Sequence, residues 1–174
     1  RGAEGCVVGG ARGPRLEALV DAAFAFALTL VVIAGNDIPA SVDALVLAMK
    51  AVPAYAASFL LIMRFWFAHG DWSRRYGLDD ATSRRLSVLL VFLVLIFVYP
   101  MRMVFSSLFS ALSGGFLPTT FSIDSHSDVS AMFIMFAVAF GVMGLVMVAL
   151  YAHAWRQRDA LGLSLVERAN TRYE

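Results

Sequence analysis

Long apolar stretches separated by short polar ones organise this chain. The first runs from about Leu16 to Ala34 and closes at Gly35-Asn36-Asp37-Ile38-Pro39, a strong turn signal. The second runs from about Ala44 to Ala68, with Pro53 near its start and Trp66 near its end. The third runs from about Leu86 to Leu112 around Pro100, and the fourth from about Ala131 to Trp155. Each is close to or above the roughly 20 residues that a helix needs to cross the hydrocarbon core. The pattern predicts an all-α, polytopic membrane protein of four transmembrane helices within residues 15–158. An amino-terminal tail (1–14) and a cytoplasmic tail (159–174) flank it, and no internal repeat is visible.

Arginine placement sets the expected orientation. Arg74, Arg75, Arg84 and Arg85 lie between the second and third stretches; Arg12 and Arg15 precede the first; Arg156, Arg158, Arg168 and Arg172 follow the fourth. The other two loops, Gly35 to Asp43 and Ser113 to Ser130, hold no Lys or Arg but contain Asp37, Asp43, Asp124 and Asp128. Positive loops stay cytoplasmic, so both termini are expected inside. Trp66, Trp72, Tyr76, Tyr151 and Trp155 gather at the cytoplasmic ends, as an interfacial aromatic belt would.

Composition agrees. Hydrophobic residues make up 60% of the chain and charged residues 16%, more apolar surface than a soluble domain of 174 residues hides. A net charge of +1 gives no reason to expect a nucleic-acid partner. The single cysteine, Cys6, has no metal-ligand neighbours and no internal disulfide partner. The amino-terminal tail lacks the short apolar core of a secretory signal. No nucleophile–base pair, phosphate-binding glycine loop or His-x-x-x-His helix is present, which argues against an enzyme and against a resident cofactor or metal. Because the chain starts at Arg1 rather than Met, a fragment or a processed form is expected.

Polar residues inside the apolar stretches are the functional candidates, because they are costly at membrane depth. Asp21 lies over a turn inside the first stretch and needs a proton or a partner; Arg15 of a neighbouring helix, His69 and Arg64 are the options. Ala22, Phe26, Thr29 and Ile33 follow steps of four, three and four, which puts them on one helical face. Around a shared axis that face would line a pore, with Phe26 as an apolar constriction and Thr29 supplying oxygens. The competing reading is a packing seam in which Thr29 bonds its own backbone. Lys50 and Arg64 have the reach to snorkel to the two surfaces, whereas Arg102, just past Pro100, serves either a local polar pocket or a lipid headgroup. His69 and His153 read as isolated residues at cytoplasmic helix ends; His126, near Asp124 and Asp128, reads as part of a solvated loop. Ala137-x-x-x-Gly141, with Gly144, would allow close helix approach.

The first stretch carries a resemblance. Arg-x-x-x-Phe-Ser-Asp followed by Gly-Val-Phe-Ala-Ile-Ala-Ile-Thr-Leu-Leu-Val is the first-helix signature of prokaryotic (and lysosomal) potassium channels of the transmembrane protein 175 family. This chain keeps Arg15 and Asp21 at the same spacing, then Phe24, Ala25, Ala27, Thr29 and Leu30. Phe65-Trp66-Phe67-Ala68-His69, the late Pro100 and the exit from Tyr151 to Arg158 are similar to the family's following three helices. The resemblance implies four first helices around a central axis, potassium as the permeant ion, a constriction that falls on Phe26, and a bracing polar network of Arg15, Asp21 and His69. The chain departs from the pattern at Leu19-Val20, at Ala22, at Phe26 where the family has an aliphatic residue, and near Leu89 where it has an asparagine. It also has four spans where prokaryotic members have six, so it resembles their first four helices only and reads as either a truncated piece or a shortened branch.

The reading of the sequence is therefore a potassium-selective cation channel: a homotetramer, in contact with membrane lipids, in a prokaryotic plasma membrane. A non-conducting membrane subunit that packs against a partner protein is the alternative, and an enzyme built on His69 and Asp71 is remote.

Overall fold

The computed structural model describes residues 13–33, 39–119 and 125–158. They form five α-helices: α1 (Gly13–Ile33), α2 (Val42–Lys50), α3 (Val52–Tyr76), α4 (Ala81–Leu112) and α5 (His126–Arg156). Among the described residues there is no strand. The fold class is all-α, as the apolar pattern predicts.

α4 is the hub, touching α1, α3 and α5, while α1 also packs against α3. α4 and α5 are each long and apolar enough to cross a membrane. α2 and α3, bent by 42° at a short break, qualify together as a third span. Here the structure corrects the sequence reading, which took residues 44–68 as one continuous segment. Pro53, in the first turn of α3, has no N–H to bond the preceding turn and its ring crowds that turn's carbonyl. The chain therefore ends α2 at Lys50 and restarts a new helix after Ala51. Pro100 breaks nothing, and α4 runs through it to Leu112. α4 and α5 begin about five residues earlier than their apolar cores, because each recruits a polar cap: Asp80 for α4 and a Ser125–Asp128 capping box for α5.

The core is made of stripes at helical spacing. α1 contributes Val20, Phe24, Ala27 and Val31; α3 contributes Ile62, Phe65, Trp72 and Tyr76; α4 contributes Leu90, Val94, Val98 and Met101; α5 contributes Met143, Val146, Met147, Leu150 and Ala154. Phe65 meets Phe140 edge-on at 5.6 Å between ring centroids, joining α3 to α5. Ala137 and Gly141 are exposed, and a Cβ added at Gly141 or Gly144 would meet nothing within 4 Å. The small-residue motif of α5 therefore makes no close helix contact among the described residues.

A polar clamp closes the end at which α3, α4 and α5 meet. Gly77 ends α3 in a left-handed conformation, φ 54°, where its N–H bonds the Ser73 carbonyl at 2.9 Å. Three residues later Asp80 caps α4, accepting from the Thr82 N–H at 3.0 Å and the Ser83 hydroxyl at 2.6 Å. The same carboxylate lies 3.0 Å from His153 Nε2 on α5. Trp72 Nε1 donates to the Leu150 carbonyl at 3.0 Å. The belt reading thus fails for Trp72 and Tyr76, which are 1% and 5% exposed and belong to the core. His153 is not isolated either. Burial alone would raise the Asp80 pKa; hydrogen bonds from Ser83, His153 and the Thr82 N–H outweigh it and hold the group down at about 2.

A carboxylate with a depressed folded pKa stabilises the fold above its ordinary titration range and loses that contribution on acidification. Thermal stability in detergent is expected to fall as pH drops from 3.8 toward 2, the window in which Asp80 takes up its proton. Asp80→Ala removes the cap and should cost about 1–2 kcal/mol at neutral pH. A melting curve for Asp80→Ala that matches the parent at pH 7 would rule out the clamp as a stabilising element.

Candidate ion-conduction surface

α1 has 21 residues and, at about 1.5 Å per residue, a length of roughly 30 Å. Two stripes on it share the four–three–four spacing. Val20, Phe24, Ala27 and Val31 are all 2% exposed or less. Ala22, Phe26, Thr29 and Ile33 are shifted from them by two residues, or about 200° around the helix. Ala22, Phe26 and Thr29 are thus turned away from the body of the chain: Ala22 and Thr29 are exposed, and Phe26 is 57% exposed. Ile33 ends the helix, and its side chain lies outside the described residues. The Thr29 hydroxyl donates to the Ala25 carbonyl one turn back at 3.0 Å. Its proton is committed, and its oxygen remains an acceptor facing outward.

Two polar contacts fix how α1 is rotated. Trp66 Nε1 on α3 donates to Asp21 Oδ1 at 2.7 Å, a short bond to a carboxylate. Arg102 Nη1 on α4 donates to the Val31 carbonyl at 3.1 Å. The last carbonyls of a helix have no partner within it, and α1 has no basic residue in its own last turn. Arg102 supplies the missing donor from across the bundle.

Within the chain the hydrogen-bond partner of Asp21 is therefore an indole rather than His69 or Arg64. Arg15 is exposed on the first turn of α1, and Arg64 is exposed on α3. His69 is 3% exposed, and its Nε2 lies 2.9 Å from the Ser87 hydroxyl on α4. Asp21 lies within electrostatic reach of His69, but the two share no hydrogen bond. Trp66, Ser87 and Arg102 are the contacts that sequence reasoning missed. Trp66 stands 45 residues from Asp21, so no local spacing links the two; an aspartate and a tryptophan at the same depth of adjacent antiparallel segments were the only available signal. Lys50 lies 4.2 Å from the centre of the Phe116 ring, tying the end of α2 to the loop after α4. Asp128 serves the α5 cap, while Asp124 and the His126 side chain lie outside the described residues, as does Cys6. Among the described residues no three His, Cys, Asp or Glu side chains gather as metal ligands do.

An all-helical bundle with helices long and apolar enough to cross a membrane is a membrane-protein architecture, and comparison with known proteins narrows the class to channels. Residues 15–100 match the family described as endosomal/lysosomal potassium channel TMEM175. A potassium channel of Marivirga tractuosa is 28% identical over 168 residues, covering 94% of this chain and 68% of the relative. The fold superposes on a variant of the potassium channel MtTMEM175, crystallised with a nanobody–MBP fusion protein, with a TM-score of 0.82 and 26% identity over 91% of this chain and 70% of that one. Over residues 15–100 the chain is similar to the TMEM175 family, and its fold is similar to that of a channel of this family.

Trp66→Phe keeps the ring and deletes the donor to Asp21. A hydrogen bond to a charged group is worth about 1.5–3 kcal/mol. The variant should melt several degrees lower in detergent, and Asp21→Asn, which retains an acceptor oxygen, should lose less. Equal melting of Trp66→Phe and the parent would show that this bond does not hold α1.

Proposed function

We propose that this chain forms a potassium-selective cation channel in which identical copies, four by analogy with the family, surround an axis with the exposed face of α1 turned inward. The reading takes α1 as a fourth span beside α4, α5 and the α2–α3 pair, places both termini in the cytoplasm and sets the protein in a prokaryotic plasma membrane. One observation carries it. In a chain similar to a potassium-channel family, the helix bearing the family signature leaves Ala22, Phe26 and Thr29 uncovered by its own subunit.

The physical sequence is short. Small residues Ala18, Ala22 and Ala25 on the exposed side let neighbouring copies of α1 approach closely. A ring of Phe26 side chains then narrows the axis with apolar surface and controls conduction by excluding water. Thr29 oxygens, one turn further along, compensate an ion for part of its lost hydration. The sequence contains no Thr-Val-Gly-Tyr-Gly type of filter, so selectivity rests on the narrow apolar ring and these hydroxyls. Asp21 and His69 act on this surface through the α1–α3–α4 contacts and do not line it, and Arg15, exposed on the first turn of α1, is left to meet a neighbouring copy. Potassium is the permeant ion, and the chemistry calls for no enzyme activity and no cofactor.

Flux through liposomes holding a potassium gradient tests the reading. Phe26→Ala should raise basal potassium flux several-fold; unchanged or lower flux would remove Phe26 as the constriction. A purified protein that is monomeric and passes no ion would instead fit a non-conducting subunit that uses the same face to hold a partner. Orientation has its own test. Cysteines placed in the Gly35–Asp43 and Ser113–Ser130 loops should react with an impermeant maleimide added outside cells, and protection of either loop would overturn the topology.

A further inference from the structure

The end of the bundle that carries the Gly77 turn holds a cavity of about 200 Å³ between the start of α1, the end of α3 and that turn. At roughly 30 Å³ per water-sized group it has room for several non-hydrogen atoms. Its wall combines Glu17 of α1, His69, Trp72 and Ser73 of α3, and Leu78 and Asp79 of the turn. One of these groups lacks a hydrogen-bond partner. Asp79 Oδ1 is buried with no donor in reach among the described residues, and its nearest cation, Arg84 Nη1, stands 3.7 Å away, too far for a hydrogen bond. His69 is 3% exposed, and its Nε2 is engaged by Ser87. Most buried polar atoms in folded proteins are paired, so a cavity wall with an unpaired carboxylate oxygen points to a ligand.

The chemistry of the wall selects that ligand. Glu17 and Asp79 offer carboxylate acceptors, Ser73 a hydroxyl and His69 a ring nitrogen, while Leu78 and the Trp72 indole give apolar surface. Arg84 offsets one of the two carboxylates and leaves the site one negative charge in excess. Among the described residues no three His, Cys, Asp or Glu side chains gather as a metal ion requires. A primary ammonium on a short alkyl stem needs fewer: an N–H donor meets Asp79 Oδ1, its charge balances the excess, and its stem lies against Leu78 and Trp72. We propose that this cavity is a binding site for primary alkylammonium groups, seated between α1 and the α3–α4 turn. The inference goes beyond the conduction proposed above and does not rest on it. Because Glu17 belongs to α1, occupancy also ties that helix to the turn.

The test uses the purified chain in detergent, with n-butylammonium chloride as the probe and tryptophan emission and the melting midpoint as readouts. Sodium chloride at equal ionic strength and neutral n-butanol are the controls. A saturable response to n-butylammonium alone is expected. Asp79→Asn or Glu17→Gln should weaken it about tenfold or more while leaving the ligand-free melting point and potassium flux in liposomes unchanged. Glu17 is exposed, so Glu17→Gln decides the matter if Asp79→Asn folds poorly. A short-chain phosphatidylethanolamine run against the matching phosphatidylcholine separates the sources: preference for the ethanolamine lipid assigns a headgroup, and saturation by n-butylammonium without that preference assigns a soluble amine. No saturable response, an equal response to n-butanol, or unchanged affinity in the well-folded variants overturns the site.

Discussion

The rotation of α1 about its own axis is the constraint on which the arrangement depends. Three interactions set it. Val20, Phe24, Ala27 and Val31 bury one stripe in the groove between α3 and α4. Trp66 holds Asp21 near the middle of the helix, and Arg102 holds the Val31 carbonyl near its end. Apolar burial alone is non-directional and tolerates some turning of a helix in its groove. Two hydrogen bonds at different heights are directional and remove that freedom. With the rotation fixed, the identity of the outward face follows: a shift of two residues in sequence carries the chain from the buried Phe24 to the exposed Phe26.

At the other end of the hub, the same logic uses polar groups rather than stripes. Gly77 permits the tight turn that brings α4 back along α3, and Asp80 then serves two helices, capping α4 and contacting His153 of α5. Trp72 joins α3 to the Leu150 carbonyl of α5 in the same region. Each group is placed where a helix end leaves backbone atoms unpaired or where two helices converge. In the first half of α5, most side chains from Ala131 to Val142 are exposed. The bundle is therefore tied most firmly at the Gly77–Asp80 end, next to the alkylammonium cavity.

Most of this was legible in the chain where a periodic signal existed. The apolar stretches located α1, α4 and α5 to within about five residues, and the spacing of Ala22, Phe26 and Thr29 put them on a helical face that the chain leaves exposed. The break at Ala51 was less legible, because Pro53 reads equally as the first turn of a new helix and as a tolerated residue near a helix start. The contacts of Asp21, His69 and Arg102 were not legible, because each joins residues far apart in sequence: 45 residues for Asp21–Trp66, 18 for His69–Ser87 and 71 for Arg102–Val31. Which polar groups meet depends on the relative depth and rotation of two helices, and no local pattern encodes either. The aromatic cluster misled for the same reason. Tryptophans at a membrane interface and a tryptophan that closes a helix junction look alike in sequence, and only burial separates Trp72 from a belt residue.

Asp21 sharpens the argument about what surrounds α1. Counted at 100° per residue, it sits roughly a quarter-turn from the buried stripe and a quarter-turn from the Phe26 stripe, on the border between them. It is exposed, and only one of its oxygens is held by Trp66. An ionised carboxylate facing hydrocarbon costs several kcal/mol, whereas the same group facing water, headgroups or a polar neighbour costs little. Thr29 sets no such condition, since its proton is already bonded to Ala25. The condition imposed by Asp21 is thus that lipid tails do not cover this edge of α1. A water-filled axis between copies meets it directly, and so does an interface in which a neighbouring copy supplies a donor such as Arg15. A face of α1 packed wholly in lipid does not.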